Sequence, residues 1–236
     1  MKKTGKTLLK AIHAEFLPAK LRFLRRMILT GVKLTPYIEI SGFLSEAEAQ
    51  KLLSSACGLK EKSPIIVEIG SHLGKSSYVL AKALQEKGGG KLYCIDPFDG
   101  AGDITAVAHY KTKEVLGKKT LFQQFMRNVK KNKLTSYIQP IQGLSHEVVK
   151  NFPEPHIDMI FIDGNHDWEC VRQDFLDWVP KIKPGGVLAM HDVFATPFDD
   201  HYDGPWRVVK EFILDNPKWI WFQLVDSLAV AIKRAD

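Results

Sequence analysis

Two short polar clusters in the 236-residue chain each follow directly on an apolar run. Phe161-Ile162-Asp163-Gly164-Asn165-His166-Asp167 puts two carboxylates and an imidazole within five positions, and Val187 to Met190 runs straight into His191-Asp192. An imidazole has an ordinary pKa of about 6.5, so His166 can act as a base toward a hydroxyl near neutral pH. Asp163, His191 and Asp192 together offer two carboxylates and one imidazole. Those donor types hold a divalent ion while leaving water positions open to a substrate. The plainer alternative is a pair of solvated turns, with His166 and Asp167 merely opening the helix that follows.

The choice depends on the elements that position the clusters. From Ile65 onward, short apolar runs alternate with amphipathic stretches, the pattern of a parallel sheet covered by helices on both faces. Strands are expected at 65–69, 92–95, 138–141, 159–162, 187–190, 220–224 and 228–232, and helices near 76–85, 121–131, 145–151, 169–179 and 206–214. Ser45-Glu46-Ala47-Glu48 reads as a capping box that opens another helix, running to Cys57 and closed by Gly58. Only Val225-Asp226-Ser227 separates the last two strands, too little for a crossover, so they form an antiparallel hairpin. The expected fold is α/β and Rossmann-like: a seven-stranded, mostly parallel sheet with its last strand antiparallel. If the strands at 159–162 and 187–190 are neighbours, their carboxyl ends face one crevice, where Asp163, His191 and Asp192 converge.

The first strand passes through Glu68, Ile69 and Gly70 into Ser71-His72-Leu73-Gly74-Lys75-Ser76. Glycines at 70 and 74 allow positive φ and a close backbone approach, and the helix start offers free amides. The spacing is not that of the GxGxxG dinucleotide turn, so a pyrophosphate fits poorly. The second strand ends at Asp96, whose carboxylate is placed to accept both hydroxyls of a ribose. The pair of features points to a nucleoside-bearing cofactor without a diphosphate, against the alternative of a plain tight turn.

Composition narrows the class further. The chain is long enough for one large domain, and no apolar run approaches the roughly 18 residues of a membrane span. Cys57, Cys94 and Cys170 are odd in number and include no CxxC pair, which suits a reducing cytoplasm rather than a disulfide framework or a cysteine zinc site. The net charge is +6, but residues 1–33 hold nine cations against Glu15 alone, which leaves the remainder at −2. The body therefore has no basic face of its own for a phosphate backbone, and no nucleic-acid partner is expected. The basicity belongs to an N-terminal extension, residues 1–44, ahead of the domain at 45–236. In it Leu21, Leu24, Met27 and Ile28 share one helical face, suited to docking on the domain, to a homodimer partner, or to a peripheral contact with an anionic membrane. A targeting peptide is the remaining reading, although no secretory cleavage site follows a long apolar core.

The run Glu68-x-Gly70-x-x-x-Gly74-x-Ser76 resembles the first motif of class I methyltransferases that use S-adenosylmethionine, the small-molecule O-methyltransferases in particular. Gly143-Leu144-Ser145 is similar to the Gly-x-Ser of catechol O-methyltransferase, and residues 158–192 resemble a bacterial branch related to the macrocin-type enzymes. The resemblance covers roughly residues 45–212. It implies that Glu68, Gly70, Ser71, His72, Gly74, Ser76, Asp96, Ser145 and Asp163 surround the cofactor, with Ser145 beside the adenine. It also implies a metal at Asp163 and Asp192 and a general base at His166. His191 stands where those families carry a carboxylate, and magnesium prefers oxygen to imidazole. A softer ion such as manganese, iron or zinc, a differently directed His191, or a site without metal all remain open. The expected activity is methylation of a small-molecule or sugar hydroxyl; a nucleic-acid methyltransferase and a non-enzymatic partner- or membrane-binding protein are the alternatives.

Overall fold

The fold is that of a computed structural model and is described for residues 37, 39–100, 119–194 and 203–235. The basic segment at 1–33 and most of the loops at 97–118 and 193–204 lie outside the described residues.

Helix α1 (Glu46–Cys57) begins at the expected capping box: Ser45 Oγ accepts the Glu48 amide, and Glu48 returns a carboxylate oxygen to the Ser45 amide at 2.8 Å. The alternation of strand and helix then continues through β1 (Ile65–Ile69), α2 (Lys75–Lys87), β2 (Lys91–Asp96), α3 (Leu121–Lys131), β3 (Ile138–Gln142) and the short α4 (Ser145–Val148). It is completed by β4 (Ile157–Ile162), α5 (Trp168–Trp178), β5 (Ile182–Met190), α6 (Gly204–Val208), β6 (Trp219–Val225) and β7 (Leu228–Lys233). Their order in the sheet is β3-β2-β1-β4-β5-β7-β6; β7 runs antiparallel to both of its neighbours, and the other pairings are parallel.

Period-2 alternation sorts the strand residues into two cores. Ile66, Leu92, Met159, Phe161 and Val187 pack with Leu52, Leu80, Leu84 and Phe125 on one face; Val67, Ile69, Ile160, Leu188 and Met190 pack with Phe175, Trp178 and Val208 on the other. Every residue of β4 is buried, as expected for a strand covered on both sides. Tyr37, Ile40 and Leu44 are buried in the first core. Strand β5 starts five residues earlier than its apolar run, because Pro184-Gly185-Gly186 is an excursion within the strand. Its register against β4 jumps from Ile157↔Ile182 to Met159↔Val187, with Gly185 at φ +78°.

The chain leaves β1 and β4 in adjacent positions, so the crevice between them is the switch point of the sheet. There the backbone is packed too closely for any side chain at residue 70. Gly70 has φ +81°, and a Cβ on it would lie 1.9 Å from the Asp163 carbonyl oxygen. Beside the same crevice, Asp174 of α5 is buried against Gly164 and accepts a hydrogen bond from Ser145 at the start of α4. Burial drives the Asp174 pKa up to about 6, against the lowering effect of that bond.

Two outcomes follow. Gly70→Ala must displace the Asp163 carbonyl, so it should lower stability by about 2 kcal/mol or more in a urea titration. Asp174 binds more protons folded than unfolded between its ordinary range and about 6. Its contribution to stability is therefore full at low pH and is lost as pH rises through that value. Asp174→Asn should gain on the wild type, on the order of 1–3 kcal/mol, between about pH 4 and pH 7 in paired melts.

Candidate active site

The glycine turn after β1 is held from below and from the side by two carboxylates. Glu68 is fully buried; its Oε2 accepts the Ser71 hydroxyl at 2.8 Å and the Ser77 hydroxyl, and Ser76 bonds to it as well. Burial raises the Glu68 pKa, with the serine hydrogen bonds opposing. Asp96, at the tip of β2, accepts the amides of Ser71 at 2.9 Å and His72 at 2.8 Å through one oxygen and the Phe98 amide at 2.6 Å through the other. Its pKa is raised by burial despite these three bonds. Glu68, Ser71, Ser76 and Asp96 therefore act first on the turn itself: they fix Gly70 to Gly74, with His72 at φ 46° and Gly74 at φ +87°. Helix α2 starts at Gly74 without a side-chain cap.

Across the crevice, β4 and β5 are neighbours, and the two polar clusters meet as the adjacency of their strands requires. His191 Nδ1 lies 3.1 Å from Asp163 Oδ1 and 3.2 Å from Asp192 Oδ2, and His166 Nε2 lies 2.7 Å from Asp192 Oδ2. Asp192 reaches both histidines from a left-handed backbone, φ 54°, a conformation that aspartate tolerates better than most residues. His166 is buried at 9% exposure in the loop 163–167, which ends at α5. Asp167 occupies the N-cap position of α5 but makes no side-chain cap; the loop is closed instead by Asn165 Oδ1 accepting the Asp167 amide at 2.8 Å.

One participant escaped the sequence altogether. Glu48 is 2% exposed, and its Oε2, besides closing the capping box, lies 3.1 Å from His191 Nε2. Its Oε1 accepts both the amide and the hydroxyl of Ser227, at 2.8 Å and 2.7 Å. The motif S-x-x-E announced only the cap, because its partner lies 143 residues away. Burial opposes ionisation of Glu48, but the hydrogen bond and charge of His191 outweigh it and lower the pKa to about 2. Burial likewise works against a charged His191, yet the Asp163 charge and bonds to Asp163, Asp192 and Glu48 hold its pKa well above the ordinary value. Asp192 is held well below the carboxylate range, chiefly by His166 and His191 against burial, while burial raises Asp163. The cluster requires positive charge at its centre.

Asp163, His191 and Asp192 each present one ligand atom within 4.8 Å of the others. Bonds of about 2.1 Å set ligand atoms about 3.0–3.4 Å apart in octahedral or tetrahedral sites, the range in which the His191 Nδ1 contacts fall. The donor set therefore fits a divalent ion that accepts imidazole, manganese, iron or zinc in preference to magnesium. Ser145, through its bond to Asp174, sits at the end of β3 on the other side of the β1 turn. Among the described residues no helix is long and apolar enough to cross a membrane.

A family model described as a methyltransferase domain matches residues 67–193. Among solved structures, a Corynebacterium glutamicum protein superposes with TM-score 0.63 at 15% identity, covering 92% of this chain and 98% of that one. An O-methyltransferase from Bacillus cereus, solved in complex with SAH, superposes with TM-score 0.58 at 16% identity, covering 97% of each chain. Protein y4gI of Sinorhizobium fredii is 24% identical over 153 residues, which is 64% of this chain; the match spans only 15% of that relative's length. The matched residues run from the first strand of the sheet to just past His191 and Asp192, more than half of the sequence, and the chain belongs to the methyltransferase domain family.

Proposed function

We propose that the protein transfers a methyl group from S-adenosylmethionine to a hydroxyl oxygen of a small molecule or sugar. The observation that carries this reading is the His166–Asp192 pair, 2.7 Å apart, beside Asp163 and the glycine turn at the switch point of the sheet. A base oriented by a carboxylate, at the crevice where such folds bind ligands, suits removal of a hydroxyl proton. The family match and the SAH complex of the Bacillus cereus relative support the donor.

In this reading the rigid Gly70–Gly74 turn and the uncapped start of α2 take the amino-acid end of the donor. Asp96, already oriented by three amides, keeps lone pairs for the ribose hydroxyls, and Ser145 stands by the adenine. Asp192 holds the His166 ring through Nε2 and stabilises its protonated form. His166 takes the acceptor's proton as the hydroxyl oxygen bonds to the methyl carbon and the carbon–sulfur bond breaks, the sulfonium electron pair returning to sulfur. Asp163, His191 and Asp192 would hold a divalent ion, which when bound orients the acceptor and lowers its hydroxyl pKa.

Calorimetry with S-adenosylmethionine and S-adenosylhomocysteine tests the donor; no heat at concentrations up to about 1 mM would remove this reading. Once an acceptor is identified, His166→Ala should lower kcat by about 10²–10⁴ while leaving S-adenosylhomocysteine affinity within about threefold. Full turnover in that variant would reassign the base.

A further inference from the structure

The Glu48 carboxylate belongs to no strand-end cluster and to no part of the chemistry above, yet it is spent on His191. It comes from α1, ahead of the residues matched by the family model, and reaches the tip of β5 through the first core. Its two oxygens are fully used: Oε1 by Ser227 in the β6–β7 turn, Oε2 by the Ser45 amide and His191 Nε2. A carboxylate at that ring nitrogen can only accept, so Nε2 carries the hydrogen. Metal-bound imidazoles are oriented in this way, with the second nitrogen donating to an outer carboxylate that fixes the tautomer and raises ligand basicity.

We propose that Glu48 is the positioning residue of a divalent-metal site: it holds the Nε2–H of His191, so that Nδ1 turns its lone pair to the space between Asp163 and Asp192. The inference rests on the proposed reading of that cluster as a metal site and deepens it by naming the residue that orients its imidazole ligand. Before an ion binds, a proton on Nδ1 answers the two carboxylate oxygens at 3.1 Å and 3.2 Å, and a divalent cation among the three atoms takes that proton's place. One imidazole with two carboxylates suits manganese-like ions, whereas magnesium favours an all-oxygen shell. The tie from Glu48 to Ser227 also couples the site to the far hairpin, so the ligand imidazole is braced from α1 and from the β6–β7 turn.

The probe is Mn²⁺ alone, added to the full chain after chelator treatment and dialysis, followed by electron paramagnetic resonance and calorimetry, with S-adenosylhomocysteine titrated separately. Wild type should bind about one Mn²⁺ with an imidazole-nitrogen coupling, and Mg²⁺ at least about tenfold more weakly. Glu48→Gln should weaken Mn²⁺ by about 10–100-fold. Ser45→Ala, which breaks the capping box but leaves the contact with His191, should lower the melting temperature without moving Mn²⁺ affinity. His191→Asp should keep a metal, lose the nitrogen coupling and shift preference toward Mg²⁺. Wild type that takes up S-adenosylhomocysteine but no Mn²⁺ overturns the inference and leaves the donor reading standing; failure to bind S-adenosylhomocysteine strikes that reading instead. Unchanged Mn²⁺ affinity in Glu48→Gln, with loss in Asp192→Asn, overturns the role of Glu48.

Discussion

Three carboxylates, Glu48, Asp163 and Asp192, face one imidazole that is 4% exposed, and their charge has to be balanced where it sits. Leaving such a carboxylate uncompensated in a largely dehydrated site costs several kcal/mol. The balance therefore dictates geometry: His191 can satisfy the three groups only if the tips of β4 and β5, the first turn of α1 and the β6–β7 turn keep their present distances. The elements that carry the acids lie far apart in sequence, so this contact also ties the ends of the domain to its centre.

The same constraint explains what the sequence could and could not disclose. Helix α3 and strand β1 fall where periodicity placed them, and α1 begins and ends at its capping box and Gly58, because those signals act within a few residues. Strand β5 extends back to Ile182, beyond the 187–190 run, past the local turn signal of Pro184-Gly185-Gly186. The pairing with β4 resumes beyond the excursion, and the strength of that pairing overrides the local turn signal. Asp163, His166, His191 and Asp192 were legible as a group because parallel neighbours expose the same ends. Glu48 and Asp174 were not, since each has its partner on another element, and on its own helix neither is more than a capping or solvated acid.

Residue type at a strand end also left direction undecided. Glu68 and Asp96 carry the resemblance to a cofactor site, yet both oxygens of Asp96 and Oε2 of Glu68 are occupied by Ser71, Ser77, His72 and Phe98. A turn whose Gly70 presses on the Asp163 carbonyl has little freedom to adapt to a ligand. Rigidity of this kind lowers the cost of ordering the site on binding, so the acids contribute to affinity through the backbone they hold as well as through any lone pair left over.

His166 is positioned by packing as well as by its bond to Asp192. A Cβ on Gly204 would lie 2.2 Å from the His166 carbonyl oxygen, so the start of α6 is pressed against the loop that carries His166. Arg207 lies over the Trp168 ring at 4.2 Å, and Trp168 stacks on Phe212, which extends the contact along α5. The loop 163–167 is thus held at Asp192 on one side and at the start of α6 on the other, so any shift of α6 reaches His166 through its backbone.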